Sequence, residues 1–142
     1  HTLSHLLIRQ LAFESGYNSS SLSESIYFSD DLENSMAGIL IYTADSDSEG
    51  SLGGLVRQGE ATRLLPTIIT ALQRAVWCSS DPVCSESEGQ GGEGLNKAAC
   101  HACTLISETS CSFFNSLLDR SLLVDKEYGF FKNVYNAIEF ES

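Results

Sequence analysis

Leu3, Leu7 and Leu11, with Leu6 and Ala12 beside them, recur at helical spacing and predict an opening helix. Gly16 after Ser15 supplies its stop, because glycine enters the left-handed conformation at little cost. Ser21 and Glu24 form an S-x-x-E capping box, which predicts a short helix or turn through Ser25. Ile26-Tyr27-Phe28 reads as a brief strand, and the polar residues 29–35 as a loop. Gly38-Ile39-Leu40-Ile41-Tyr42-Thr43 is the best strand: β-branched, aromatic and apolar on both faces, the pattern of a central strand covered on both sides. Leu55-Val56-Arg57 is either a short neighbouring strand or the start of a helix. Over residues 60–77, Leu64, Leu65, Ile68, Ile69, Leu72 and Val76 mark one face of a helix, with Pro66 expected in its first turn. Ser110 or Thr109 caps a further helix carrying Phe113, Phe114, Leu117, Leu118 and Leu122. An aromatic tail follows Asp125: Tyr128, Phe130, Phe131 and Tyr135, ending in Ile138-Glu139-Phe140.

Helices outnumber strands and no segment repeats, so the expected class is α+β: a small β-sheet packed by helices. A length of 142 residues suits one domain with a real core, and 42% hydrophobic content argues against wholesale disorder. Eight basic against nineteen acidic side chains give a net charge of −11, which argues against a stand-alone nucleic-acid binder. The longest apolar run, 37–42, is strand-sized, so no membrane span is expected. The chain starts at His1, its one methionine is Met36, and residues 1–12 lack a basic region and a small-residue cleavage site. The expectation is a single domain excised from a larger cytoplasmic protein.

Residues 78–103 change character, holding four of the five cysteines around a Gly/Glu/Ser-rich loop at 85–94. The spacing is C-x5-C-x15-C-x2-C-x7-C, from Cys78, Cys84, Cys100, Cys103 and Cys111. Cys100-His101-Ala102-Cys103 is the C-x2-C half that converges two sulfurs on one metal, and Asp81-Pro82 favours a turn that brings Cys78 and Cys84 together. Two such pairs make a tetrahedral four-cysteine zinc site linking two helices. Such a site has no open position, so it holds structure rather than activating water. Disulfides, a redox C-x2-C pair and buried free thiols compete with this reading. Cys111 fits the last description, and His101 between two candidate ligands is poorly placed as a third.

Other chemistry is weaker. Asp45-x-Asp47-x-Glu49-Gly50 imitates an EF-hand loop, but position twelve is Val56 where calcium needs a bidentate Glu. Gly50, Gly53 and Gly54 read as a turn allowing close backbone approach rather than a phosphate cradle, since no G-K-[ST] follows. His1 and His5 lie four apart on a helix, a metal-capable spacing without a visible third ligand. A nuclease built on His1, His5 and the Asp45/Asp47/Glu49 cluster is the weakest alternative, behind a metal-free thiol switch. No catalytic constellation emerges, and the expectation is a non-enzyme.

These motifs together resemble a known family. His1-Thr2-Leu3-Ser4-His5-Leu6-Leu7-Ile8, Gly53-Gly54-Leu55-Val56-Arg57-Gln58-Gly59-Glu60, Trp77-Cys78-Ser79-Ser80-Asp81-Pro82, Ala98-Ala99-Cys100-His101-Ala102-Cys103 and Leu117-Leu118-Asp119-Arg120 are similar to the MZB domain, the zinc-binding domain named after the MrfA DNA-repair helicase. Ala37-Gly38-Ile39-Leu40-Ile41-Tyr42 and Glu108-Thr109-Ser110-Cys111 fit the same pattern, and this longer form resembles the version found in the DISARM anti-phage system. The resemblance covers residues 1–124 and leaves 125–142 as a C-terminal extension. It implies that Cys78, Cys84, Cys100 and Cys103 hold one structural zinc. It further implies a non-catalytic accessory module that docks on helicase domains of the same protein or on a helicase subunit. DNA would then be handled by the parent complex rather than by this acidic segment.

Overall fold

The computed structural model describes residues 1–44 and 53–134. Helix α1 (Thr2–Ser15) ends where expected, with Gly16 in the left-handed conformation at φ 71°. Its buried residues, Thr2, Ser4, His5, Leu6, Leu7, Ile8, Gln10 and Leu11, run almost around its circumference. A helix covered on most sides is the centre of a domain rather than a surface layer. On one side Leu6 and Leu7 pack against Ala71, Leu72, Ala75 and Val124. On the other, Ile8 and Leu11 meet Leu22, Ile106 and Cys111.

Strands β1 (Leu22–Ser29) and β2 (Met36–Thr43) form a two-stranded antiparallel ribbon, pairing Leu22 with Thr43 and Ser29 with Met36. The ribbon and its helices bear out the α+β class. Two details differ from expectation. Ser21 and Glu24 do not cap a helix: a 3-10 turn at Ser19–Ser21 is capped by the Asn18 side chain, and Glu24 lies inside β1 with its carboxylate buried. Pairing with β2 satisfies that backbone, and the carboxylate is drawn into the protein by α1. Nor is β2 covered on both sides. Ile39, Leu40 and Tyr42 are exposed, as are Tyr27, Phe28 and Met36, because a two-stranded ribbon offers one packed end and little else.

Leu55-Val56-Arg57 belongs to helix α2 (Gly53–Gln58). A Cβ on Gly54 would stand 3.0 Å from the Tyr17 hydroxyl, the close approach expected of these glycines. Gly50 and the acidic cluster Asp45/Asp47/Glu49 lie outside the described residues, as do Tyr135 and 138–140. Helix α3 (Ala61–Ala75) follows, with Glu60 at its N-cap. Its buried face is Thr67, Ala71, Leu72 and Ala75, so Leu65 and Val76 point outward and Pro66 falls beyond the first turn. The break at Gly59–Glu60 starts the helix earlier than the proline would prefer.

The helix expected from Thr109 or Ser110 to Leu122 does not form. Phe114, Asn115 and Leu117 have positive φ, and only helix α4 (Ser121–Val124) is regular. Side chains take the backbone donors a helix would need: Cys111 Sγ accepts from the N–H of Phe113 and Asn115, and Asn96 Oδ1 accepts from Leu118. This is local competition with the helical ladder. Of the five apolar residues assigned to that face, only Leu118 is buried. Among the described residues no helix is long and apolar enough to cross a membrane.

Candidate metal centre

Cys78 follows the C-terminal end of α3, and Cys84, Cys100 and Cys103 come from the irregular chain between α3 and α4. Their four sulfurs lie within 4.8 Å of one another. Cys78 and Cys100 are 3.5 Å apart, Cys84 and Cys103 3.7 Å, Cys100 and Cys103 3.8 Å. A zinc tetrahedron with bonds of about 2.3 Å separates its sulfurs by about 3.8 Å, whereas a disulfide needs about 2.05 Å. All five cysteines are free thiols.

The chain around the sulfurs is built to hold them. Cys103 N–H and Thr104 N–H donate to Cys100 O, making the tight turn that C-x2-C spacing requires. Ser80 N–H donates to Cys78 Sγ, Cys100 N–H and the Thr104 hydroxyl donate to Cys103 Sγ, and Gln90 Nε2 donates to Cys84 Sγ. Such donors stabilise thiolate charge. Asp81, beside a cis Asp81–Pro82 bond, accepts from Cys78 N–H at 2.8 Å. Its other oxygen accepts from Arg120 at 2.5 Å, and Arg120 also donates to the carbonyls of Ala75 and Val76 that end α3. Arg120 thus fixes the end of α3 and the Cys78–Cys84 turn together. Burial opposes ionisation of Asp81, but the Cys78 N–H and Arg120 hold its carboxyl below the usual range.

Four sulfurs this close cannot all ionise without a cation. Burial and its neighbours push Cys84 up to about 12, and burial raises Cys78 too. Cys100 goes the other way: against its burial, surrounding hydrogen bonds bring it down to about 6. The group ionises readily once and then resists, the electrostatics of a site that wants a divalent ion.

Other sequence candidates fall as follows. His101 is exposed and contributes only its carbonyl, which accepts from Arg9. His1 and His5 are not idle: they meet Glu24 and Cys111 in a second buried cluster whose ligand atoms lie within 4.8 Å of one another. Sequence reasoning missed it because Glu24 and Cys111 join the histidines only through the tertiary fold. Burial would lower both imidazoles and raise the two acids. Instead the Cys111 and Glu24 side chains lift His1 to about 9 and raise His5, while the imidazoles hold Glu24 well below the carboxylate range and Cys111 at about 6. His5 and Glu24 are sealed from solvent, while His1 keeps partial exposure.

The family comparison decides what the four-cysteine cluster is part of. Residues 3–104 match the model of the MrfA Zn-binding domain, MZB. The chain belongs to this family. The DISARM protein DrmB of Bacillus paralicheniformis is 49% identical over 138 residues, covering 94% of this chain and 24% of that protein. This MZB domain therefore spans about a quarter of the length of the curated relative it matches. The family's metal fits what the residues offer: soft thiolates with tetrahedral separations and donors aimed at the sulfurs point to zinc.

Proposed function

We propose that this MZB domain is a non-catalytic accessory module of a phage-defence protein, stabilised by one structural zinc on Cys78, Cys84, Cys100 and Cys103. The observation that carries the reading is the convergence of those four sulfurs to tetrahedral separations. Four protein ligands fill zinc's coordination and leave no position for water, so the metal stabilises a fold and performs no chemistry. The relative named for DISARM supports the setting. The module docks on helicase domains of the larger protein or on a helicase subunit, and DNA is handled by the assembly. Support for docking comes from the ribbon, where Tyr27, Phe28, Ile39, Leu40 and Tyr42 are exposed; exposed apolar patches commonly mark interaction sites. A cytoplasmic setting agrees with thiols kept reduced.

Metal analysis with a free-thiol count tests the zinc reading. Zinc is expected to copurify, and Cys84→Ser or Cys100→Ser should lower the zinc count by one and destabilise the domain, because binding energy is folding energy. Unchanged zinc in those variants, or fewer titratable thiols than cysteines after denaturation, would defeat it and favour a thiol switch.

A further inference from the structure

We propose that His1, His5, Glu24 and Cys111 form a second structural zinc site, separate from the four-cysteine cluster. The ligands come from the start of α1, from β1 and from the turn after the 3-10 segment Glu108–Ser110. His1 Nε2 lies 3.2 Å from Cys111 Sγ and 3.2 Å from Glu24 Oε1, and His5 Nε2 lies 3.5 Å from Glu24 Oε1. Donor atoms bound to zinc at about 2.0–2.3 Å in a tetrahedron stand roughly 3.3–3.6 Å apart.

The protons are arranged for a cation. His5 Nδ1 lies 3.2 Å from the carbonyl of Thr104, which can only accept, so Nδ1 keeps its proton and Nε2 is the nitrogen that would give up its proton to a metal in the cluster. The Ser4 hydroxyl donates to Glu24 Oε2, leaving Oε1 for the cluster. Cys111 Sγ accepts two backbone N–H bonds at 3.3 Å, from Phe113 and Asn115. Each of these three ligands is oriented by a group outside the cluster.

The decisive feature is close ionic contact without an aligned hydrogen bond. His5 is 0% and Glu24 1% exposed, yet His5 Nε2 and Glu24 Oε1 make no aligned hydrogen bond. Buried polar atoms are seldom left so, and one of these is a carboxylate oxygen. A divalent ion satisfies both at once. It also balances charge: two neutral imidazoles, a carboxylate, a thiolate and Zn2+ sum to zero, which a buried site tolerates. Two histidines and a carboxylate alone would suit an open iron site, but Cys111 fills the position such a site keeps free. Nitrogen, oxygen and sulfur donors in a closed, buried set suit structural zinc.

This site stands independently of the four-cysteine reading. His1 and Cys111 lie outside the residues that match the family model. The test is zinc content of the full-length purified protein after equilibration with excess zinc and removal of loosely held ion. His1→Ala and Cys111→Ser should each remove one zinc per chain relative to the parent, while a Cys84→Ser/Cys103→Ser variant should retain it. X-ray absorption at the zinc edge of each variant reads the remaining ligands: losing the second site enriches sulfur, losing the first enriches nitrogen and oxygen. The absorption spectrum of the unaltered protein guards against a variant that fails to fold, since a second site requires nitrogen and oxygen in the average shell. Zinc content that His1→Ala and Cys111→Ser leave unchanged, or an all-sulfur shell in the parent, would overturn the proposal and leave a hydrogen-bonded ion cluster in its place.

Discussion

Arg120→Met should loosen zinc as well as the fold. Arg120 and Asp81 side chains are 4% and 17% exposed, so their pair is largely shielded from water. Methionine keeps the length but leaves the Ala75 and Val76 carbonyls and one Asp81 oxygen without their donor. Removing one partner from a buried pair costs about 3–5 kcal/mol, and partial access of water to Asp81 favours the low end, about 3 kcal/mol. Asp81 is also the group that accepts from Cys78 N–H, so much of that cost falls on the position of the Cys78 sulfur. If all of it is felt by the zinc-bound state, zinc affinity falls roughly 150-fold. Competition against a chelator of known affinity measures this, with urea unfolding of the zinc-loaded protein in parallel. Asp81→Asn completes a double-mutant cycle: the amide oxygen still accepts from Cys78 N–H while the charge is gone, and a coupling of about 1–3 kcal/mol is expected. Affinity within threefold of the parent for Arg120→Met, or a coupling below about 0.5 kcal/mol, would refute the clamp.

Zinc uptake should tighten as pH rises. Cys78 and Cys84, both raised, must each lose a proton to bind, so these two alone steepen affinity by roughly a hundredfold per pH unit near neutrality, read by calorimetry in buffers of different ionisation enthalpy. The sign is the same if the metal-free chain unfolds, because ordinary thiols are also protonated there. Asn96→Ala should cost about 2–3 kcal/mol in denaturant unfolding, since buried Asn96 donates to Asn115 O and accepts from Leu118 N–H. Leu40→Lys on the exposed ribbon should leave stability within about 0.5 kcal/mol while weakening pull-down of the helicase proposed as partner; unchanged pull-down would remove the ribbon from the proposed docking surface.

Features encoded by neighbours in sequence were legible, and those encoded by distant partners were not. The stop at Gly16 and the body of α3 follow from local glycine conformation and helical periodicity. The four cysteines were visible because C-x2-C spacing is itself a turn geometry. Glu24 misled because its capping-box spacing is local, whereas its carboxylate is held by Ser4, His1 and His5 from the start of the chain. The apolar run 113–122 misled for the same reason: Asn96, nearly twenty residues upstream of Asn115, helps bend that backbone out of a helix. His1 and His5 had the right spacing, but the residues that complete their cluster arrive from β1 and from Cys111.

Helix α1 joins the two clusters. His5 holds the carbonyl of Thr104, and the hydroxyl of that same residue donates to Cys103 Sγ. Arg9, one turn on, donates to the carbonyls of His101, Ala102 and Leu105, gripping the turn that carries Cys100 and Cys103. A filled four-thiolate site carries a net charge of −2 in a chain already at −11, and Arg9 and Arg120 are placed to offset it. Arg74 is engaged as well, with Gln10 and over the ring of Phe13. Three of the eight basic side chains are therefore committed inside the domain, and the other five face nineteen acidic ones, a poor balance for neutralising a phosphate backbone. Arg9 and Arg120 brace the four-cysteine cluster, which agrees with the proposal that DNA is handled by the wider assembly rather than by this acidic domain.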